Sequence, residues 1–216
     1  MKSSGPNDID LLFEEKRLIK PDYDNCIANL PNSIFKKFGL ETVGNTLPVI
    51  DSRLEKDYKN IVVLLLDAMA HMEEVVSELA EGLEDTLFII TADHGHIDTG
   101  SVMFRDYPQL CECLERWPSL EPRALNFFVK EEKKEFFVSE FNRLFGDRFI
   151  LMPMEDVIER KLMGTGTPHK EFRGMLGDYL AIATSDLSIY FTEERWLSMH
   201  GSLTEDEMLI PLIVFS

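Results

Sequence analysis

Cations, cysteines and long apolar runs are all scarce in this sequence. Lys and Arg number 22 against 39 Asp and Glu, a formal charge of −17 over 216 residues, so the surface repels phosphate backbones unless a cation intervenes. Direct nucleic-acid binding is therefore not expected. The three cysteines, Cys26, Cys111 and Cys113, are odd in number, and Cys111-x-Cys113 lacks the second pair that a zinc knuckle needs. They read as buried or surface thiols. The longest clean apolar run, Ile61 to Leu66, is far short of a membrane span, and no apolar stretch follows Met1-Lys2. The expectation is a soluble, cytoplasmic chain with no membrane partner. Repeats and low-complexity blocks are also missing, and the opening MKSSGPND reads as frayed. The length suits one domain, residues 1–216, with a sizeable core.

What is present is an alternation of strand and helix signals, which argues an α/β domain. Ile61 to Leu66 and Thr86 to Ile90 are continuous β-branched and aliphatic runs suited to central strands covered on both faces. Between them, Met72, Val75, Val76, Leu79 and Leu83 fall at helical spacing, with Gly82 near the stop. That makes a βαβ unit. Further on, the pattern predicts strands over Ala124–Val129, Phe149–Met152, Tyr179–Ala183 and Leu209–Phe215, and helices over Glu131–Phe145 and Glu155–Leu162.

The two central strands each stop at an acid: LLL gives way to Asp67, and IITA gives way to Asp93-His94. Open α/β sheets bind ligands just outside the carboxyl ends of their strands, so Asp67, Asp93 and His94 could converge on one point. Two carboxylates and an imidazole suit a zinc-like cation, and Gly95 permits a tight turn beside them. An Asp at a strand end is also a common turn or cap residue, which is the plainer reading of Asp67 alone. A carboxylate and an imidazole adjacent after an apolar strand seldom serve packing. His96 and Asp98 read as loop residues, with an orienting role for the ligands as the alternative.

Near the C-terminus, Thr204 and Glu207 have capping-box spacing, and Leu203 with Met208 could staple the start of a short helix. His200-Gly201 precedes this turn and Pro211 to Phe215 returns to the sheet, so His200 would be held on a rigid loop. Position makes it a candidate ligand, although a loop histidine is commonly only solvated.

The stretches IVVLLLDAM, TLFIITADHG and MHGSLTEDEMLIPLIV resemble signatures of the alkaline phosphatase superfamily, in particular its type I phosphodiesterase and nucleotide pyrophosphatase branch. RALNFFVK and GDYLAIAT, in that order between the motifs, are similar to bacterial members. The resemblance covers most of residues 60–216. It implies an alkaline-phosphatase-like core, a mostly parallel sheet with helices on both faces. It also implies that Asp67, Asp93 and His94 bind one metal and His200 the other, with two zinc ions in the family and one expected here. The activity implied is metal-dependent hydrolysis of phosphate mono- or diesters on small, nucleotide-like substrates.

The sequence departs from that pattern after the first acid. Only Ala68-Met69-Ala70 separate Asp67 from His71, where the family carries a Thr or Ser nucleophile and then an Asp and a His of the second metal site. A segment is missing between Ala70 and His71, either deleted or unrecorded. The family chemistry uses two cations about 4 Å apart to clamp attacking and leaving oxygens. The expectation is thus a hydrolase core that is inactive as written, with a non-catalytic metal-binding or interaction protein as the alternative. Thr91, Thr99 and Ser101 read as structural. The loop GTGTPHKEF, with His169, could cradle an anion through backbone amides but lacks the Gly-Lys-Ser/Thr ending of a phosphate loop, and reads as a connector. Asp178 could as easily start its strand as bind anything. Phe127, Phe128, Phe136, Phe137, Phe141 and Phe145 read as core.

Overall fold

A computed structural model describes residues 8–67 and 85–215. The expected Met72–Leu83 helix, His71 and the break after Ala70 lie outside the described residues. In chain order the helices are α1 (Ile9–Glu14), α2 (Leu30–Lys37), α3 (Pro48–Arg53), α4 (Pro108–Cys111), α5 (Lys134–Phe145), α6 (Met154–Glu159), α7 (Phe172–Met175) and α8 (Glu205–Met208). The strands are β1 (Asn60–Leu66), β2 (Thr86–Ala92), β3 (Ile97–Asp98), β4 (Gly100–Met103), β5 (Leu114–Glu121), β6 (Ala124–Val129), β7 (Phe149–Pro153), β8 (Tyr179–Ala183), β9 (Leu187–Tyr190), β10 (Ser198–Met199) and β11 (Leu212–Phe215). Contacts divide the chain into two compact units, residues 1–21 with 96–208 and residues 22–95 with 209–216.

The first unit is built on an antiparallel sheet of order β5-β6-β8-β7. Alternation along its strands sends residues to two cores. Leu125, Phe127, Phe149, Ala181 and Ala183 meet Phe137, Phe141 and Phe145, which recur every four residues on α5. Their rings pack 5.1 Å (Phe127 to Phe137) and 5.5 Å (Phe127 to Phe141) apart. Ile150, Met152, Leu180 and Ile182 instead meet Ile9 and Leu12 of α1 and Met154 and Val157 of α6. Phe136, expected in the core, is exposed; its neighbour Phe137 takes the inward position on the helix. Asp178 proves structural: its carboxylate accepts the Val129 amide at 2.8 Å and pairs with Lys134 at 2.9 Å, tying the end of β6 to the start of α5.

In the second unit, β1 and β2 run parallel in register from Asn60 opposite Thr86 to Leu66 opposite Ala92, and β11 joins the other side of β2 antiparallel. Leu87 and Ile89 of β2 are fully buried against Leu30, Leu47, Ile50 and Leu54, from α2, α3 and the adjoining chain. Strand β2 is central as expected. Strand β1 is not: it forms the edge of the described sheet, with Val62, Val63 and Leu65 exposed.

The fold is therefore mixed α/β, and the expectation of a mostly parallel sheet needs correction. Among the described strand pairs two are parallel and five antiparallel. Apolar runs signal burial and say nothing of strand direction. A connection as short as Pro122-Arg123 between β5 and β6 permits only a hairpin.

Candidate functional site

Parallel pairing decides where the acids fall. Asp67 and Asp93 directly follow the partnered residues Leu66 and Ala92, and the Asp93 amide extends the ladder by donating to the Leu66 carbonyl at 3.3 Å. His94 then turns back toward both. Its Nε2 lies 3.5 Å from Asp67 Oδ1 and 3.7 Å from Asp93 Oδ1, and its backbone amide donates to Asp93 Oδ1 at 3.0 Å. The His94 Nδ1 sits 3.0 Å from the Gly95 carbonyl. A carbonyl only accepts, so Nδ1 is the donor in this contact and Nε2 is the nitrogen left facing the carboxylates.

One ligand atom from each of Asp67, Asp93 and His94 lies within 4.8 Å of the others. Two carboxylates and an imidazole facing one point form a donor set that a cation could occupy. Tetrahedral coordination with bonds of about 2.0–2.1 Å would separate neighbouring ligand atoms by roughly 3.3 Å. The distances of 3.5 and 3.7 Å are close to that spacing and too long for good hydrogen bonds. The donor set thus fits a borderline divalent cation. The cluster is also open, since the Asp67 side chain is 89% exposed and that of Asp93 47%, leaving room for exchange with solvent.

His200 belongs to the other unit. There, β3 and β10 pair antiparallel, Ile97 opposite Met199, which sets His96 and His200 beside each other at the end of the ladder. Their rings stack at 4.9 Å with planes 15° apart. Asp98 accepts from the Ser198 hydroxyl at 3.3 Å and the Thr99 hydroxyl accepts from Ser188 at 2.9 Å, so both serve the strand pairings around this point.

The chain around His200 is held by an ion pair that no sequence pattern announced. The Arg123 and Glu207 side chains are 0% and 1% exposed, and Arg123 donates to Glu207 through Nε at 2.7 Å and Nη2 at 2.8 Å. A third guanidinium bond, at 3.0 Å, goes to the Leu187 carbonyl. Glu207 also accepts from the Ser202 amide at 2.9 Å and from the Thr204 hydroxyl. The capping-box spacing was the only visible signal, and it pointed to the helix start alone. Gly201, at φ +111°, completes the anchor; a Cβ there would come within 2.8 Å of Glu121 Cβ. The cysteines are free, and burial pushes the Cys111 and Cys113 thiols up, away from reactive thiolate.

No protein-family model and no curated protein matches the chain. Among solved structures it is similar to phosphonoacetate hydrolase from Sinorhizobium meliloti 1021, at TM-score 0.44 and 17% identity over 64% of this chain and 38% of that one. It is also similar to ectonucleotide pyrophosphatase / phosphodiesterase 5. The human protein gives TM-score 0.41 and 16% identity over 64% of this chain and 35% of that one. The murine protein gives TM-score 0.40 and 16% identity over 64% and 36%. The chain thus spans little more than a third of the length of these proteins. Among the described residues no helix is long and apolar enough to cross a membrane.

Proposed function

We propose that the chain carries the metal-binding core of a phosphoric ester hydrolase of alkaline phosphatase type, of the phosphodiesterase and nucleotide pyrophosphatase branch. Asp67, Asp93 and His94 hold one divalent cation, zinc by its donor set. The observation that carries this reading is the convergence of His94 Nε2 on both carboxylates at near-ligand spacing. The bound cation would supply Lewis-acid charge for a phosphoryl oxygen. The two carboxylates bind it and offset its charge, while the Gly95 carbonyl fixes the His94 tautomer and ring direction. In a chain of formal charge −17, a cation is also what lets an anionic phosphate ester approach. Nucleotide-like substrates follow from the motif resemblance.

The sequence places no Thr or Ser between Asp67 and His71, so this chain has no nucleophile where the family has one. Catalysis by the chain as written is accordingly marginal, and cation binding is the property it retains. Elemental analysis after exhaustive dialysis tests the reading: close to one metal per chain is expected, lost in Asp93→Ala. A metal-free wild-type protein, or metal content unchanged by that substitution, would overturn it.

A further inference from the structure

The GTGTP part of the loop read from sequence as a connector borders an open cavity of about 280 Å³ against the end of α6. Its lining is mixed: Ile158, Met163 and Phe172 contribute apolar side chains, and Lys161, Thr165 and Thr167 polar ones. The volume is just below the range of ordinary small-molecule pockets, which suits a ligand with one ring.

Basic residues gather along the segment that forms the cavity. Residues 160–173 contain Arg160, Lys161, Lys170 and Arg173 against Glu171 alone. Arg160 is taken by Asp10, and Arg173 by Glu155. Lys161 has no acidic partner among the described residues. The amides of Thr165, Gly166 and Thr167 likewise have no acceptor there, and neither threonine hydroxyl has a partner.

The backbone gives an independent pointer. Helix α6 ends with the Leu162 amide donating to the Val157 carbonyl and the Lys161 amide to that of Ile158, and Lys161 itself is left-handed at φ +57°. That cap position normally takes glycine, because a Cβ is strained there. Lys161 takes such a position, as Lys16 does at the end of α1, but Lys161 also lines the cavity.

We propose that this cavity binds a small oxyanion carried on a compact aromatic or apolar body. Lys161 and the two threonine hydroxyls take the anionic head, with the spare loop amides nearby, and Ile158, Met163 and Phe172 take the body. The site is separate from the metal reading and does not rest on it.

The test is titration of the 216-residue protein with phenyl phosphate, benzoate, inorganic phosphate and phenol, followed by amide chemical shifts and calorimetry. It is run in chelator and repeated in Asp93→Ala, so that binding at the acidic cluster is silenced. Phenyl phosphate or benzoate is expected to shift the Thr165, Gly166 and Thr167 amides and to bind at least about tenfold more tightly than phenol or inorganic phosphate. Lys161→Met should lower that affinity about tenfold. Lys161→Gly relieves the strained cap, so it should melt no lower than wild type and still lose the ligand. If Lys161 serves only the helix end, Lys161→Gly keeps the affinity and the proposal fails. It also fails if no probe moves the loop amides, or if binding vanishes in Asp93→Ala.

Discussion

Gly201 and His200 show how much a single position can be asked to do. The positive φ of Gly201 and the 2.8 Å approach to Glu121 leave no room for a side chain. Gly201→Ala is therefore expected to cost about 1–3 kcal/mol, read as a lowered denaturation midpoint with the slope unchanged. His200 is a different case. Its ring stacks on that of His96, and it is not one of the Asp67, Asp93 and His94 set. His200→Ala should leave the bound-metal stoichiometry of the protein unchanged, as measured by elemental analysis. Loss of the metal in that variant would show that His200 is a ligand of the ion. Adjacency made Asp93-His94 legible from sequence, because a strand end and two donor residues are local information. The pairing of His96 with His200 was not legible, since it depends on two short strands far apart in the chain.

Among the elements, β6 and β8 were readable because nearly every residue in them is buried, so their runs are apolar but for Asn126. Strand β5 left no such trace: it is mostly exposed, carries Arg116, Trp117 and Pro118, and pairs with β6 through an irregular register. Strand β1 misled for the converse reason. Its composition suits burial on both faces, but composition does not report which neighbours are present. Helix α5 carries the clearest energetic expectation at this scale. Phe141 is fully buried among Phe127, Phe137, Phe145 and Phe149, so Phe141→Ala should cost about 3–5 kcal/mol. Denaturant unfolding would check this, and a cost under about 1 kcal/mol would mean the ring cluster is loosely packed. Asp178→Ala should cost about 1–3 kcal/mol, because it strands the amide of buried Val129. Asp178→Asn, which keeps an acceptor, should recover part of that loss.

For the whole molecule, the proposed function turns on whether one cation site without a placed nucleophile suffices for turnover. Two displacements through a covalent intermediate are easier than one, and a second metal stabilises the leaving oxygen. Time courses with nitrophenyl phosphate and bis-nitrophenyl phosphate, with zinc or manganese added, are expected to run only marginally above free metal in buffer. Robust turnover lost in Asp67→Ala and Asp93→Ala would show that residues other than a Thr or Ser following Asp67 serve, with His96 and Ser101 the first to vary. The Thr99 hydroxyl is already engaged by Ser188, which lowers its claim.

The buried Arg123–Glu207 pair also bears on the order in which the chain can mature during synthesis. Arg123 enters the interior with the β5–β6 hairpin, yet its counter-charge arrives only with residue 207. Removing one partner of a buried pair leaves an uncompensated charge costing about 3–5 kcal/mol. The other unit waits on the same stretch, since β11, at Leu212–Phe215, closes one side of β2. The buried pair of the first unit and the three-stranded sheet of the second are therefore both complete only after residues 207–215 have left the ribosome. Premature termination anywhere between Arg123 and Glu207 should yield a product that is cleared or aggregates, not a smaller folded protein.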